Sequence, residues 1–304
     1  MVYNRREDKK GDFHMAVVNV KRIADNWRAE LLERINSLKI KGIIPQVTII
    51  SDTDMSNGKD KYVNNKKKRC LDLGIEFNHI KLDLQNLNKQ EQLELLAFHL
   101  KDIDMGGVMV QLPFGDLKEG DISHLIPSVL DVDGFTKEQK IKLIEGEDDA
   151  LIPATALGVL RIIEDKYGKD LTGKQVCIVN RSNLIGKPLF HLLLQRNATI
   201  TMCHSKTNKI DLTYAFLESD IIVTGCGKRN IFNSYDLGYK NELIIDCSMT
   251  KVEGVVNVGD WNKESVLENN RDIDIASGYG ATGVLTVLGL CENIIKSYEN
   301  IIDK

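Results

Sequence analysis

The chain has 304 residues, of which 42% are hydrophobic and 28% are charged, and its net charge is −4. This length exceeds the ~250–300 residues at which a single core usually stops growing, so it predicts two domains. The small net charge gives no reason to expect nucleic acid as a partner, and no stretch approaches the ~20 apolar residues of a membrane span.

The first half of the chain alternates helix and strand patterns. Residues 1–15 are polar and charged from Arg5 onward, which predicts an extension without a secretory signal. Apolar residues then recur every three or four positions from 23 to 38, which predicts an amphipathic helix. We predict strands over 47–50, 75–82 and 108–111, and helices ending at 73 and over 90–100. This alternation is typical of a parallel sheet covered by helices.

The same alternation restarts near residue 153. We predict helices over 156–167, 186–195 and 284–300, and strands over 176–179, 199–202, 221–224 and 243–246. The chain is therefore predicted to be an α/β protein of two units that join between 146 and 153.

The six cysteines are far apart and include no CxxC pair. They are Cys70, Cys177, Cys203, Cys226, Cys247 and Cys291. Buried free thiols are the favoured interpretation over disulfides or a zinc site, so we expect a cytoplasmic protein without a metal.

A turn after the strand at 176–179 is the first candidate for dinucleotide binding. The run from Asn180 to Pro188 lacks the usual G-x-G-x-x-G, but it joins a strand to a helix whose N-terminus can hold a phosphate. Asn180 can adopt the positive φ at which glycine is usual. Considered alone, an ordinary strand–helix turn explains this loop nearly as well.

The next strand strengthens the dinucleotide interpretation. It ends in His204, Ser205, Lys206 and Thr207, where a protein that selects NAD usually places an acidic residue. Hydroxyls and a cation suit a 2′-phosphate, so we favour NADP over NAD, with a solvated surface charge as the alternative. Gly225 and Gly227 follow a third strand at the level where ligands bind, although a simple glycine turn also explains them.

Four residues of the first half are candidates for a reacting site. Tyr62 and Lys66 share one helix face, Gln111 ends a strand before Pro113, and Asp133 lies in a turn-like run. A lysine acts in acid–base chemistry when its surroundings lower its pKa. Each residue taken separately also has an ordinary structural explanation, so spacing alone predicts a two-unit α/β protein that binds a dinucleotide.

Taken together, the motifs resemble the bifunctional methylenetetrahydrofolate dehydrogenase/cyclohydrolase family over roughly residues 18–300. The motifs are Lys41-Gly42-Ile43-Ile44-Pro45, Tyr62-x-x-x-Lys66, Val110-Gln111-Leu112-Pro113, Asp131-Val132-Asp133-Gly134-Phe135, Arg181-Ser182-Asn183-x-x-Gly186-x-Pro188, Cys203-His204-Ser205-Lys206-Thr207 and Val258-Gly259-Asp260. The resemblance implies two α/β domains that flank a cleft, the second with a Rossmann-type parallel sheet. It places a folate-binding catalytic domain at 1–150, completed by the C-terminal helix 284–304, and a dinucleotide-binding domain at 151–283. It also implies a homodimer.

The chemistry implied by the resemblance belongs to one-carbon metabolism, with purine biosynthesis as an outlet. Hydride passes from 5,10-methylenetetrahydrofolate to NADP, and the methenyl product is hydrolysed to 10-formyltetrahydrofolate. Lys66 would activate water, Gln111 would orient Lys66, Tyr62 would pack on the folate rings and Asp133 would bind the pterin edge. The implied substrate-binding set adds Leu112, Pro113, Gly280, Gly283 and Thr286. The implied cofactor-binding set is Asn180, Arg181, Ser182, Gly186, Lys187, Pro188, His204, Ser205, Lys206, Thr207, Gly225 and Gly227.

The chain departs from the family pattern at several positions. Lys59 stands for a serine, Leu130 for a lysine and Asn180 for the glycine of the phosphate turn, and the run 153–158 lacks a cysteine and a proline. The loop 279–286 keeps three family residues but loses two prolines and a glycine. Two alternatives stay open because of these changes: a binding paralogue that has lost catalysis, and an enzyme with only the cyclohydrolase step. A third, a shikimate-dehydrogenase-like oxidoreductase, stays open because it has the same two-domain plan and a Lys/Asp pair.

Overall fold

The computed structural model describes residues 17–53, 59–103, 105–252, 255–269, 273–277 and 282–302. The chain divides into two compact units. The first unit contains residues 25–154 and 287–304, and the second contains residues 1–24 and 155–286. Both units are therefore assembled from two separate stretches of sequence.

The first unit is a three-stranded parallel sheet with helices. Its elements are α1 (Val20–Ile40), β1 (Gln46–Asp52), α2 (Lys59–Leu73), β2 (Glu76–Leu82), α3 (Lys89–Leu100), β3 (Gly107–Val110), α4 (Glu119–Ile122), α5 (Lys137–Glu145) and most of α10 (Gly283–Ile302). The strand order is β2-β1-β3, with Gln46 opposite Glu76 and Val47 opposite Gly107. The central position of β1 explains its nearly complete burial, which is typical of parallel strands.

The C-terminal helix α10 packs within the first unit against α1. Trp27 of α1 is buried and donates its indole N–H to Glu292 at 2.6 Å, and Arg34 binds Glu299 at 2.6 Å. Asn293 donates to the carbonyls of Val132 and Ile152, at 2.7 Å each. Residues from the end of the chain thus hold the segment on either side of Asp133.

The second unit is a five-stranded parallel sheet. Its elements are α6 (Ala154–Tyr167), β4 (Gln175–Val179), α7 (Gly186–Leu194), β5 (Thr199–Cys203), α8 (Lys209–Leu217), β6 (Ile221–Thr224), β7 (Leu243–Asp246), β8 (Thr250–Val252), β9 (Val255–Val258), α9 (Lys263–Glu268) and β10 (Asp274–Ala276). The order is β10-β7-β6-β4-β5, and β8 pairs with β9 as a separate antiparallel ribbon. Because the chain turns from β4 to β5 on one side and returns to β6 on the other, the crevice for a ligand is expected at the carboxyl ends of β4 and β6.

The predicted helices and strands are all present, and the α/β class with two parallel sheets is confirmed. Helices α4, α5, α8 and α9 and strands β8, β9 and β10 were not predicted. All six cysteines are free. Cys226 and Cys247 are only partly buried, whereas the other four are buried as expected. No described helix combines the length and the apolar character that crossing a membrane requires.

Candidate active site

Lys66 and Gln111 meet in the first unit. Lys66 lies on α2, and its Nζ donates to Oε1 of Gln111 at 2.8 Å and to the sulfur of Met109 at 3.2 Å. Nε2 of Gln111 donates to the carbonyl of Leu112 at 2.9 Å, so the amide oxygen is turned toward Lys66. Gln111 follows β3 directly and donates its backbone N–H to Ile50 of β1. The sheet therefore fixes the acceptor that holds the lysine.

Burial shifts the pKa values of Lys66 and Asp133 toward neutrality, and the charge of each group opposes the shift of the other. Burial lowers the pKa of Lys66 from its usual 10.5, and the carboxylate of Asp133 opposes this change. Burial raises the pKa of Asp133 to about 7, against the influence of Lys66. Oδ2 of Asp133 is buried and has no hydrogen-bond partner among the described residues. This oxygen is available to a ligand, because a buried acceptor is costly when it stays unpaired.

The turn that carries Asp133 is held from both sides. Oδ2 of the buried Asp131 accepts the backbone N–H of Thr136 at 2.7 Å. Gly134 adopts a φ of +68°, and a Cβ there would overlap the carbonyl of Leu151. Leu130, which replaces the lysine of the family pattern, is buried in the core of this unit. The replacement of this lysine by Leu130 therefore adds an apolar side chain to the hydrophobic core of the first unit.

The other predicted residues of the first unit lie around this pair. Tyr62 lies one turn before Lys66 on α2, and its side chain is 48% exposed. Leu112 is half-buried and Pro113 is exposed, and they are joined by a cis peptide bond. These three side chains are accessible to a flat, partly apolar ligand.

In the second unit, Asn180 organises the turn between β4 and α7. Its Oδ1 accepts the backbone N–H groups of Ser182 at 2.8 Å and Gly186 at 3.1 Å, and its Nδ2 donates to the carbonyl of Gly225 at 2.7 Å. Our explanation for this asparagine was wrong, because the described residues with positive φ do not include Asn180. The three hydrogen bonds of its side chain, and not an unusual backbone angle, explain why an asparagine occupies this position.

The remaining residues of this turn form the start of α7. A Cβ at Gly186 would overlap the backbone carbonyl of Asn180, so the close approach requires glycine. Oγ of Ser182 accepts the N–H of Ile185 at 3.1 Å, and Nζ of Lys187 donates to Asn183 at 2.9 Å. Pro188 is buried early in α7, where proline is tolerated, and Arg181 is exposed.

The turn after β5 is compact and presents a cation. The backbone N–H of His204 donates to Oγ1 of Thr207 at 2.9 Å, and that of Lys206 donates to Nδ1 of His204 at 3.1 Å. Ser205 and Lys206 are exposed. The turn therefore leaves a hydroxyl and an ammonium group free to meet an anion.

Sequence reasoning did not identify Asp260, which binds the glycine-containing loop 225–228 that follows β6. Gly225 is half-buried and Gly227 is exposed with a φ of +68°. The buried Asp260 accepts the backbone N–H groups of Cys226 at 2.7 Å and Lys228 at 2.9 Å. The only signal in the sequence was the motif at 258–260, to which we had assigned no role.

Three predicted residues belong to the C-terminal loop. Gly280 lies outside the described residues. Gly283 begins α10, and Oγ1 of Thr286 donates to the carbonyl of Thr282 at 3.0 Å. In the described part of the chain, no three His, Cys, Asp or Glu side chains are grouped so that they could hold a metal ion.

Comparison with known proteins covers nearly the whole chain. The profile of the tetrahydrofolate dehydrogenase/cyclohydrolase catalytic domain matches residues 18–133, and that of the NAD(P)-binding domain matches residues 153–302. The bifunctional protein FolD of Bacillus licheniformis is 32% identical over 287 residues, which are 94% of this chain and 98% of that protein. FolD of Acetivibrio thermocellus is 33% identical over 282 residues, 92% of this chain and 96% of that protein.

Solved structures show the same similarity. The crystal structure of the bifunctional enzyme FolD from Campylobacter jejuni aligns with a TM-score of 0.84 at 30% identity. The alignment covers 95% of this chain and all of that one. The fold of this chain is thus similar to that of a solved FolD enzyme.

Proposed function

Because this chain belongs to the tetrahydrofolate dehydrogenase/cyclohydrolase family, we propose that it catalyses both reactions of that name. It oxidises 5,10-methylenetetrahydrofolate to the 5,10-methenyl cation with NADP, and it hydrolyses this cation to 10-formyltetrahydrofolate. The family resemblance of the sequence motifs is confirmed, and it replaces the shikimate-dehydrogenase-like alternative. The two domains of the proposal are 1–150 with the C-terminal helix, and 151–283.

The observation that carries the proposal is the hydrogen bond between Lys66 and Gln111, with Asp133 close enough to influence the lysine's pKa. An ordinary lysine is an ammonium ion near neutral pH and cannot accept a proton. Burial lowers the pKa of Lys66, so that the neutral amine becomes available as a general base. A positively charged substrate beside it lowers that pKa further.

In the hydrolysis, Lys66 takes a proton from water. The water oxygen bonds to the methenyl carbon while the Lys66 amine accepts the proton that the water releases. The bond between this carbon and N5 then breaks as the remaining hydroxyl proton passes to N5, which leaves the formyl group on N10. Lys66 afterwards returns its proton to solvent. Gln111 accepts one N–H of Lys66 and so directs the nitrogen during these steps.

Asp133 and Tyr62 bind the folate rings. The unpaired Oδ2 of Asp133 accepts an N–H of the pterin edge, which makes a charge-assisted hydrogen bond when the carboxyl group is ionised. The half-exposed ring of Tyr62 offers an apolar face on which the planar pterin stacks.

The second unit would hold the dinucleotide, and this cofactor would supply the hydride acceptor for the dehydrogenase reaction. The backbone between Asn180 and Pro188 faces the pyrophosphate at the start of α7. Exposed Ser205 and Lys206 bind the 2′-phosphate, and the run 203–208 contains no acidic residue to repel it. These features support NADP over NAD.

Three further properties belong to this proposal. The enzyme is a homodimer and works in the cytoplasm, and its product supplies purine biosynthesis. These statements follow from the family resemblance and from the free cysteines. Gel filtration with light scattering tests the dimer, and a mass near 34.2 kDa, that of a single chain, would be the contrary result.

A spectroscopic assay tests the function. The purified protein is mixed with 5,10-methylenetetrahydrofolate and either NADP or NAD, and cofactor reduction and methenyl absorbance are followed together. We expect faster reduction of NADP. Lys66→Ala should slow methenyl hydrolysis about 10²–10⁴-fold, whereas Lys67→Ala, the same change at an exposed neighbour on α2, should not.

Each possible failure of the assay has a distinct meaning. Binding of folate without reduction of either cofactor, but with methenyl hydrolysis, would leave an enzyme with only the cyclohydrolase step. Loss of both reactions in protein that still binds folate would favour the binding paralogue, which the altered loop at 279–286 suggested. Equal hydrolysis by the wild type and Lys66→Ala would remove Lys66 from the mechanism.

A further inference from the structure

The loop after β6 has three successive backbone N–H groups that point into the protein. Those of Cys226 and Lys228 donate to the two oxygens of Asp260, at 2.7 Å and 2.9 Å. That of Gly227 donates to Oγ of Ser248 at 2.9 Å. Side chains that are distant in sequence thus hold the whole loop in one conformation.

The side chains beneath the loop are themselves fixed. Oδ1 of Asp246 accepts the N–H of Ser248 and its Oδ2 accepts that of Trp261, at 3.0 Å each. A Cβ at Gly259 would overlap the carboxyl group of Asp246, which explains the glycine of the 258–260 motif. Asp260 is fully buried, and a buried carboxylate is costly unless it is well hydrogen-bonded. Its carboxyl group accepts the backbone N–H groups of Cys226 and Lys228, both of which belong to this loop.

Peptide geometry determines what the loop offers on its other side. In a trans peptide the carbonyl points opposite to the N–H. The carbonyls of Gly225, Cys226 and Gly227 therefore point away from Asp260 and Ser248. The first of them accepts Nδ2 of Asn180 at 2.7 Å and so joins the loop to the turn after β4. The next two lie where the loop is half-buried or exposed.

A row of carbonyl oxygens selects hydrogen-bond donors. Ribose hydroxyl groups can donate to it, whereas a phosphate group has only acceptors and is repelled. Along the sheet, the turns after β5, β4 and β6 follow one another. In the proposed complex, the turn after β5 holds the 2′-phosphate and the turn after β4 holds the pyrophosphate. The loop after β6 then lies beside the ribose of the nicotinamide half.

We propose that Asp260 is a positioning residue for the cofactor: it turns the 226–228 amides inward, so that the loop presents carbonyl oxygens to the nicotinamide ribose. This inference rests on the proposed function, because it takes the bound ligand to be NADP. Asp260 does not touch the cofactor itself. Its effect should therefore be confined to the half of the dinucleotide that the loop meets.

Calorimetric titration of three variants with two ligands tests this inference. The ligands are NADP and adenosine 2′,5′-bisphosphate, which lacks the nicotinamide half. In Asp260→Asn, the new amide NH2 faces a backbone N–H, so the loop loses one of its two hydrogen bonds to residue 260. We expect the Kd of NADP to rise about tenfold, with the Kd of the bisphosphate unchanged within about twofold. Ser248→Ala, which frees only Gly227, should show the same pattern more weakly.

The matched control is Asp170→Asn, at an exposed aspartate before β4 on the opposite edge of the sheet, which should change neither Kd. Methenyl hydrolysis, which uses the first unit, should be unchanged in all three variants, and an unchanged Kd of the bisphosphate reports that the second unit is folded. Equal weakening of both ligands by Asp260→Asn, or no change in either, would overturn the inference. Failure of the wild type to bind either ligand would instead overturn the proposed cofactor, and this inference with it.

Discussion

At the scale of single residues, Oε1 of Gln111 influences how readily Lys66 holds a proton. In Gln111→Glu, a carboxylate would lie about 2.8 Å from the ammonium group and stabilise it. The pKa of Lys66 should then rise, and the pH at which hydrolysis becomes half-maximal should rise by about 1–3 units. Gln111→Leu should shift this pH downward, because it removes an acceptor without adding charge. Rate–pH profiles of both variants would contradict this account if they shifted in the same direction.

Asp133 makes folate binding depend on pH. Burial raises the pKa of its carboxyl group to about 7, and only the ionised form is purely an acceptor. The KM for 5,10-methylenetetrahydrofolate should therefore fall as pH rises toward about 7 and level off above it. In Asp133→Asn the KM should be higher and nearly independent of pH. A wild-type KM that stays constant between about pH 5.5 and 8.5 would show that this carboxyl group does not titrate there.

At the scale of elements, Asn180 ties the turn after β4 to the loop after β6. Asn180→Gly restores the residue of the family pattern but removes three hydrogen bonds. We expect the KM for NADP to rise about tenfold with hydrolysis unchanged. The control is Asn197→Gly, at a positive φ of 66° that suits glycine. An unchanged KM in Asn180→Gly would mean that the backbone alone sets this turn.

The elements also show what the sequence can predict. Apolar periodicity identified α1, and the buried runs identified β1 and β4, because burial determines both the pattern and the element. Helix α8 was missed because Ile210 and Tyr214, its apolar residues four positions apart, are exposed, so no single inward face stands out.

Within the site, the order of the family motifs predicted that Lys66 and Gln111 act together, and the two are in contact. The role proposed for Asp260 could not be predicted in this way. It depends on hydrogen bonds between residues up to 34 positions apart, and no sequence pattern indicates that these residues are in contact.

At the scale of the whole molecule, Asn293 connects distant parts of the first unit. Its Nδ2 donates to the carbonyls of Val132 and Ile152, and all of these groups are buried or half-buried. Asn293→Ala should lower the free energy of unfolding by about 2–4 kcal/mol and raise the KM for folate, because Asp133 follows Val132 directly. Asn300→Ala, which loses one bond to Asp149, should cost about 1 kcal/mol. Denaturant titration with unchanged stability in Asn293→Ala would contradict this.

The contact between Trp27 and Glu292 spans 265 positions of the chain, and it bears on protein synthesis. While the ribosome is still reading the second unit, α1 is already outside the exit tunnel, but its partner α10 has not been made. The first unit therefore cannot be completed until α10 has been synthesised, whereas the second unit can fold before that point. A stop codon just before α10 would prevent the first unit from folding and leave the second unit intact.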